Sequence, residues 1–271
     1  VDLLSLEMLA VFAIFGVCAG GAAGLLGIGG GVILVPLFMW SFQVAGIDPQ
    51  ILVHSAFATS LAIIIPTAIS NTLGHLKRRN VRGRQVIYLA AGATFGACIG
   101  SWAASLLKGE VLQLAFGIMQ IAVALKMIIG SMKPPMGELR EQKTLLLLIG
   151  LVGGVYSAFF GVGGGVVAVP LMVLCLRFPM HLAVGNSTAL IVASSFFGTC
   201  SYIYAGWNMT LLSDGFLGFV FIPAVAMVVP FSLIGARIGV HFTGRFSHAK
   251  LVWCFTALLV FIGSRVIWSA L

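Results

Sequence analysis

The chain has 271 residues, of which 60% are hydrophobic and only 8% charged, against roughly a quarter charged in soluble domains. Its net charge of +8 is carried by short loops between apolar segments, which points to membrane topology and argues against nucleic-acid binding. Apolar stretches near a membrane-spanning length recur throughout, and no hydrophilic stretch is long enough for a separate soluble domain. The sequence therefore reads as an all-α polytopic protein of the lipid bilayer.

In chain order, the first half contains apolar pieces at roughly 3–26, 32–45, 51–73, 86–107 and 111–131. The opening stretch lacks a basic n-region and merges into the first piece, so it is read as part of a span rather than as a cleaved signal. A polar, proline-containing linker, MKPPMGELREQK, covers 132–143. The second half has pieces at 144–160, 165–176, 182–205, 216–243 and 251–270. The expected organisation is a first membrane repeat (1–131), a cytoplasmic linker (132–143) and a second membrane repeat (144–271).

Internal similarity is the reason for calling these repeats. GLLGIGGGVILVPLF (24–38) and AFFGVGGGVVAVPLM (158–172) match at eight of fifteen positions. Displacements of similar size align His54 with His181, Ser60 with Ser187, GACIG (96–100) with GARIG (235–239), and Lys126 with Arg265. The piece at 165–176 is too short for a core of about 30 Å at 1.5 Å per residue. That predicts a broken or re-entrant hairpin in each half, with Gly29, Gly30 and Gly31 at one tip and Gly163, Gly164 and Gly165 at the other, followed by three spans.

Charge sets the expected orientation. The loop 75–85 carries Lys77, Arg78, Arg79, Arg82 and Arg84, and the linker carries Lys133, Arg140 and Lys143; both belong inside. The counterpart of the first loop, 206–215, has one acidic residue, Asp214, and no basic one, and belongs outside. Arg245 and Lys250 place the next loop inside. Equivalent loops on opposite faces predict inverted repeats, a plan whose ligand sites lie near the midplane.

All seven carboxylates (Asp2, Glu7, Asp48, Glu110, Glu138, Glu141 and Asp214) fall at segment ends or in loops, which weakens a cation or proton-pump reading. The five cysteines lie in apolar stretches without metal spacing and read as small core hydrophobes, so no metal or cofactor is expected. Thr59 and Ser60 match Asn186 and Ser187 in position. They are either donors to an anion or interhelical hydrogen bonds. His54 and His181 begin equivalent helices and read as interfacial residues or as paired gates and anion contacts. Arg237 is a snorkelling side chain or an attractor of anions at the inner mouth. The glycine runs lack the strand, soluble helix and acidic residue of a dinucleotide site, and no enzyme motif is present.

The duplicated glycine motif, ATSL at 58–61 and the GACIG and GARIG stretches resemble the TauE/SafE family of sulfite exporters, over nearly the whole chain. The resemblance implies an inner-membrane permease for sulfite, thiosulfate or an organosulfonate such as sulfoacetate, often working outward. GNSTA at 185–189 departs from the Thr-Ser pair common there. The expectation is a secondary transporter of a small sulfur-containing anion in which one repeat moves against the other around a midplane site. An importer of a carboxylate or thiosulfate and a membrane assembly subunit are the alternatives, and a homodimer is left open.

Overall fold

A computed structural model describes residues 5–129, 142–209, 211–212, 215–242 and 248–270, with backbone only at 126–129, 248–255, 258 and 269–270. Most of the linker, Asp214, Arg245 and the side chains of Lys126, Lys250 and Cys254 lie outside the described residues. The elements are α1 (Leu6–Leu26), α2 (Gly31–Val44), α3 (Pro49–Lys77), α4 (Gly83–Ser105), α5 (Gly109–Ile129), α6 (Lys143–Phe160), α7 (Gly165–Leu176), α8 (Met180–Gly206), a two-stranded hairpin of β1 (Phe216–Leu217) and β2 (Val220–Phe221), α9 (Ile222–Phe242) and α10 (His248–Ala270). Among the described residues six helices, α1, α3, α4, α6, α8 and α9, are long and apolar enough to cross a membrane. The chain is an all-α polytopic membrane protein.

The two glycine runs make the same turn. Gly27, Gly29 and Gly30 have φ of 67°, 93° and 75°; Gly161, Gly163 and Gly164 have 70°, 92° and 71°. These left-handed values end α1 and α6 and reverse the chain, and only glycine takes them without strain. After the first turn α2 folds back on α1. A methyl on Gly30 would lie 2.8 Å from the Ala19 carbonyl oxygen, and the Phe38 ring sits 5.8 Å from that of Phe12. In the second copy Gly164 lies against Gly153 and Ser157 in the same way. With 14 and 12 residues, α2 and α7 reach only about 20 Å.

Neighbouring helices are drawn from opposite halves of the sequence. Gly20 and Gly24 of α1 pack on Ser232, Ala236 and Val240 of α9, so these two helices run parallel. Gly92, Gly96 and Gly100 of α4 pack in the same sense on Leu147, Leu151 and Val155 of α6. In both pairs the glycine sits directly on backbone carbonyls, and any side chain there would force the helices apart. In contrast, α3 and α8 run antiparallel: Leu61 lies beside Gly198, and Thr72 bonds Thr188 at 3.2 Å. So do α5 and α10, where Gln113 reaches Val266 and Gly117 packs on Gly263 and Ile267.

Packing therefore groups the helices differently from the sequence halves. One unit is α1, α2, α3 and α9; the other is α4, α6, α7 and α8. They face each other mainly across α3 and α8. The α5/α10 pair leans on the first unit, with Gln120 Nε2 donating to the Val32 carbonyl at 3.4 Å.

Two sequence expectations need correction. Cys18, Cys98 and Cys200 are exposed on the outer face of the bundle rather than in its core; at the close contacts of α1 and α4 the buried positions are taken largely by glycine and alanine. The basic loop is also shorter than 75–85: α3 runs to Lys77 and α4 starts at Gly83. His75 is thus helical and fully buried, and Gln85 is 2% exposed.

Candidate functional site

The two glycine tips meet. A methyl on Gly29 would lie 2.5 Å from the Val162 carbonyl oxygen and 3.1 Å from Gly163 Cα; one on Gly31 would lie 2.5 Å from the Gly161 oxygen. Gly165 closes on the Gly27 carbonyl in the reciprocal contact. Ile64, at the middle of the 29-residue α3, touches both Gly31 and Gly163. The meeting point is thus halfway along the longest helix. There α2 and α7 begin, both without a side-chain cap. N–H groups at helix N-termini favour anions; of these, the Gly165 N–H donates to the Gly163 carbonyl at 2.9 Å.

The four matched polar residues are all fully buried and do matched work. Ser60 Oγ donates to the Gly161 carbonyl at 2.9 Å, and Ser187 Oγ donates to the Gly27 carbonyl at 2.6 Å. Each hydroxyl satisfies a carbonyl at the tip of the other half's hairpin, left over where the helix ends. Thr59 Oγ1 accepts from the Phe221 N–H at 3.0 Å, just before α9. Asn186 Oδ1 accepts from the Arg82 N–H at 3.0 Å, just before α4. Asn186 makes a second bond, Nδ2 donating to Gln85 Oε1 at 2.7 Å.

A third matched pair escapes the sequence comparison because its residue types differ. His75 Nε2 bonds the Gly24 carbonyl at 3.2 Å, and the Tyr202 hydroxyl donates to the Ala158 carbonyl at 3.0 Å. A carbonyl only accepts, so His75 carries its proton on Nε2; its Nδ1 faces Asn80 Nδ2 at 3.4 Å. The signal for His75 was its spacing of four from Asn71, which continues the helical face of α3 through the basic run.

The remaining candidates do not form symmetric pairs. His54 is buried, 3.2 Å from the Ala104 carbonyl and stacked on Phe219 with ring centres 5.3 Å apart. His181 is exposed at the start of α8. Arg237 is exposed on α9, next to the Ala236 that packs on α1. Among the described residues no group of three or more His, Cys, Asp or Glu is placed to hold a metal.

Paired helical hairpins with uncapped inner ends, buried in a bundle of membrane-length helices, define a membrane transporter-type architecture. The chain belongs to the sulfite exporter TauE/SafE family, whose sequence profile matches residues 12–266. It is 25% identical to "Probable membrane transporter protein YunE" of Bacillus subtilis, over 96% of this chain and 98% of that protein. It is 27% identical to a "Probable membrane transporter protein" of Haemophilus influenzae, over 91% and 93% of the two chains. A protein of Methanocaldococcus jannaschii, "Probable membrane transporter protein MJ0441", is 26% identical over 95% of each. No solved structure matches.

Proposed function

We propose that the chain is a secondary transporter of a small sulfur-containing oxyanion, such as sulfite, thiosulfate or sulfoacetate, working outward across the inner (plasma) membrane. The observation that carries this reading is the pair of uncapped helix N-termini at the junction of the two glycine tips. In the middle of a bilayer such N–H groups attract an anion without a buried cation to neutralise. Glycine lets the substrate reach the backbone. Gly29, Gly30, Gly31, Gly163, Gly164 and Gly165 line this site, with Thr59, Ser60, Asn186 and Ser187 supporting it.

We further propose inverted repeats, supported by the antiparallel course of α3 against α8 and of α5 against α10. The moving bodies are the two packing units rather than the two sequence repeats. Moving one repeat against the other would tear apart the glycine-on-carbonyl contacts of α1 with α9 and of α4 with α6. Sliding the units past each other disturbs chiefly α3, α8 and the tips. Those contacts include the Ser60–Gly161 and Ser187–Gly27 bonds, whereas the Thr59–Phe221 and Asn186–Arg82 bonds lie within a unit and travel with it. The arrangement described has its tips in contact and is a closed state of the cycle.

The test is flux of sulfite, thiosulfate and sulfoacetate in proteoliposomes of the purified chain. Flux of at least one above protein-free vesicles is expected. Folded protein that carries none of them, in either direction, refutes the reading.

A further inference from the structure

We infer that a cavity between the N-termini of α4 and α6 is a second anion site, a docking station for small oxyanions at one mouth of the protein. The cavity holds about 90 Å³ and is lined by Arg84, Gln85, Tyr88, Lys143 and Leu146. Its open rim carries two exposed cationic side chains, Arg84 and Lys143, with Lys143 Nζ 5.8 Å from the centre of the Tyr88 ring. That volume accommodates several waters or one tetrahedral oxyanion.

The electrostatics of these helix ends call for an anion. A helix N-terminus carries partial positive charge and is stabilised by acidic residues. The helices α1, α3 and α5 follow that rule with Glu7, an Asp48 cap and Glu110. In α4 and α6, as in α2, α7 and α8, there is no acidic residue in the first turn and no side-chain cap; what sets α4 and α6 apart is the charge placed there. Arg82, Arg84 and Lys143 occupy those turns. Cations at two adjacent helix N-termini repel the ends they sit on, and a bound oxyanion removes that conflict.

The internal repeat supplies a comparison. By the displacement that carries the Arg82 N–H onto the Phe221 N–H, Arg84, Gln85 and Tyr88 map to Pro223, Ala224 and Met227. By the displacement that aligns the glycine runs, Lys143 and Leu146 map to Leu9 and Phe12. The equivalent place at the other mouth is apolar. The same architecture thus places cations at the α4/α6 mouth and apolar side chains at the equivalent positions of the other, on the reading that the basic loop marks the first as cytoplasmic.

The cavity is wired to the central junction. Gln85 lines it and accepts from Asn186 Nδ2 at 2.7 Å. The next residue, Ser187, holds the Gly27 carbonyl of the first tip. An oxyanion arriving at Arg84 and Lys143 thus sits one hydrogen bond from the helix that latches the tip. The cytoplasmic role assigned to the cavity rests on the transport reading above; the anion site itself rests on the lining.

The experiment measures sodium sulfite and sodium sulfate binding to the full chain in phosphatidylcholine nanodiscs, with ionic strength matched by chloride. It compares wild type, Arg84→Gln/Lys143→Gln and the charge-matched control Lys77→Gln/Arg79→Gln. The cavity variant is expected to lose affinity roughly tenfold, the scale of two exposed charge contacts together, while the control stays near wild type. Repeating the titration with phosphatidylglycerol present separates the sources: competition in wild type alone shows that a lipid headgroup shares the cavity, and no competition assigns it to the free oxyanion. Equal affinity in all three proteins, or no binding to any, overturns the site. Flux from each side separates the two readings. A half-saturating sulfite concentration raised in the cavity variant only from the Arg84 side supports docking. An equal value from both sides overturns docking but leaves transport standing. Absent flux with the affinity loss intact refutes transport and leaves the anion site.

Discussion

Four glycines separate backbone strain from tip contact. Gly83 has an ordinary φ and open space around it, and Gly46 has a φ of 76° with nothing within 4 Å of an added methyl. Gly163, at 92°, would bring a methyl 3.2 Å from Gly29 Cα, and Gly29, at 93°, would bring one 2.5 Å from the Val162 oxygen. Alanine at Gly83 lies in the first turn of a helix and is expected to stabilise by about 0.4–1 kcal/mol through the unfolded chain. At Gly46 the left-handed backbone costs about 1–2 kcal/mol. At Gly29 the same strain is joined by overpacking of roughly 1–3 kcal/mol, for a total of about 2–5 kcal/mol, with Gly163 between. Thermal unfolding in detergent should order the proteins Gly83→Ala, wild type, Gly46→Ala, Gly163→Ala, Gly29→Ala. Flux per folded molecule should change for the two tip variants and hold for Gly46→Ala. A Gly29→Ala protein no less stable than Gly46→Ala would refute the meeting of the tips.

Tyr202→Phe keeps the ring against Phe219 and removes only the bond to the Ala158 carbonyl. It should cost about 1–3 kcal/mol, the desolvation left on an orphaned buried acceptor, read as a lowered unfolding temperature; a neutral result would contradict that bond. Asn186→Ala should destabilise more than Thr59→Ala, because asparagine holds both the Arg82 N–H and Gln85 while threonine holds one N–H. Equal losses in chemical unfolding would count against the Gln85 bond. Single cysteines at Arg79 and Trp207, in a background lacking the native cysteines, should react with impermeant maleimide from opposite faces of sealed vesicles. Labelling from one face would exclude inversion.

The membrane class, the segment order and the two glycine turns were legible because each depends on local composition. A long apolar run and a left-handed glycine mean the same thing wherever they fall. The pairing of helices was not legible. Each of α1, α4, α6 and α9 is small-residue-rich on one face, and nothing local says that α1 belongs with α9 rather than with α6. Repeat alignment located Thr59, Ser60, Asn186 and Ser187, yet left open whether they face a ligand or a neighbour. In the structure all four bond backbone groups, and Asn186 also bonds the Gln85 side chain. Alignment by residue type passed over His75 and Tyr202 because the shared property is a donor at one place in space, and imidazole and phenol supply it equally. The cavity between α4 and α6 is not legible for a related reason: in the sequence Arg84 and Lys143 are topology signals, and their meeting depends on α4 and α6 packing in parallel.

The division into two packing units makes a prediction that the sequence halves do not. If α3 and α8 slide during transport, Ser60 and Ser187 are latches, broken when the tips part, while Thr59 and Asn186 hold each unit together and stay bonded throughout. Removing a latch weakens the closed state but leaves each unit intact. Removing an internal bond weakens the fold and leaves the balance between closed and open unchanged. Both single serine variants lose one bond to a tip carbonyl, so each should shift the balance by about 0.5–1.5 kcal/mol, and the double variant by more. The readout is the reaction rate of a cysteine placed at Ile64, where the tips meet. It should rise in Ser60→Ala and Ser187→Ala, rise further in the double variant, and stay at the background level in Thr59→Val. A Thr59→Val protein that opens the junction as readily as Ser60→Ala would mean that the first unit does not move as one body. The sliding mechanism would then fail even if anion flux were confirmed.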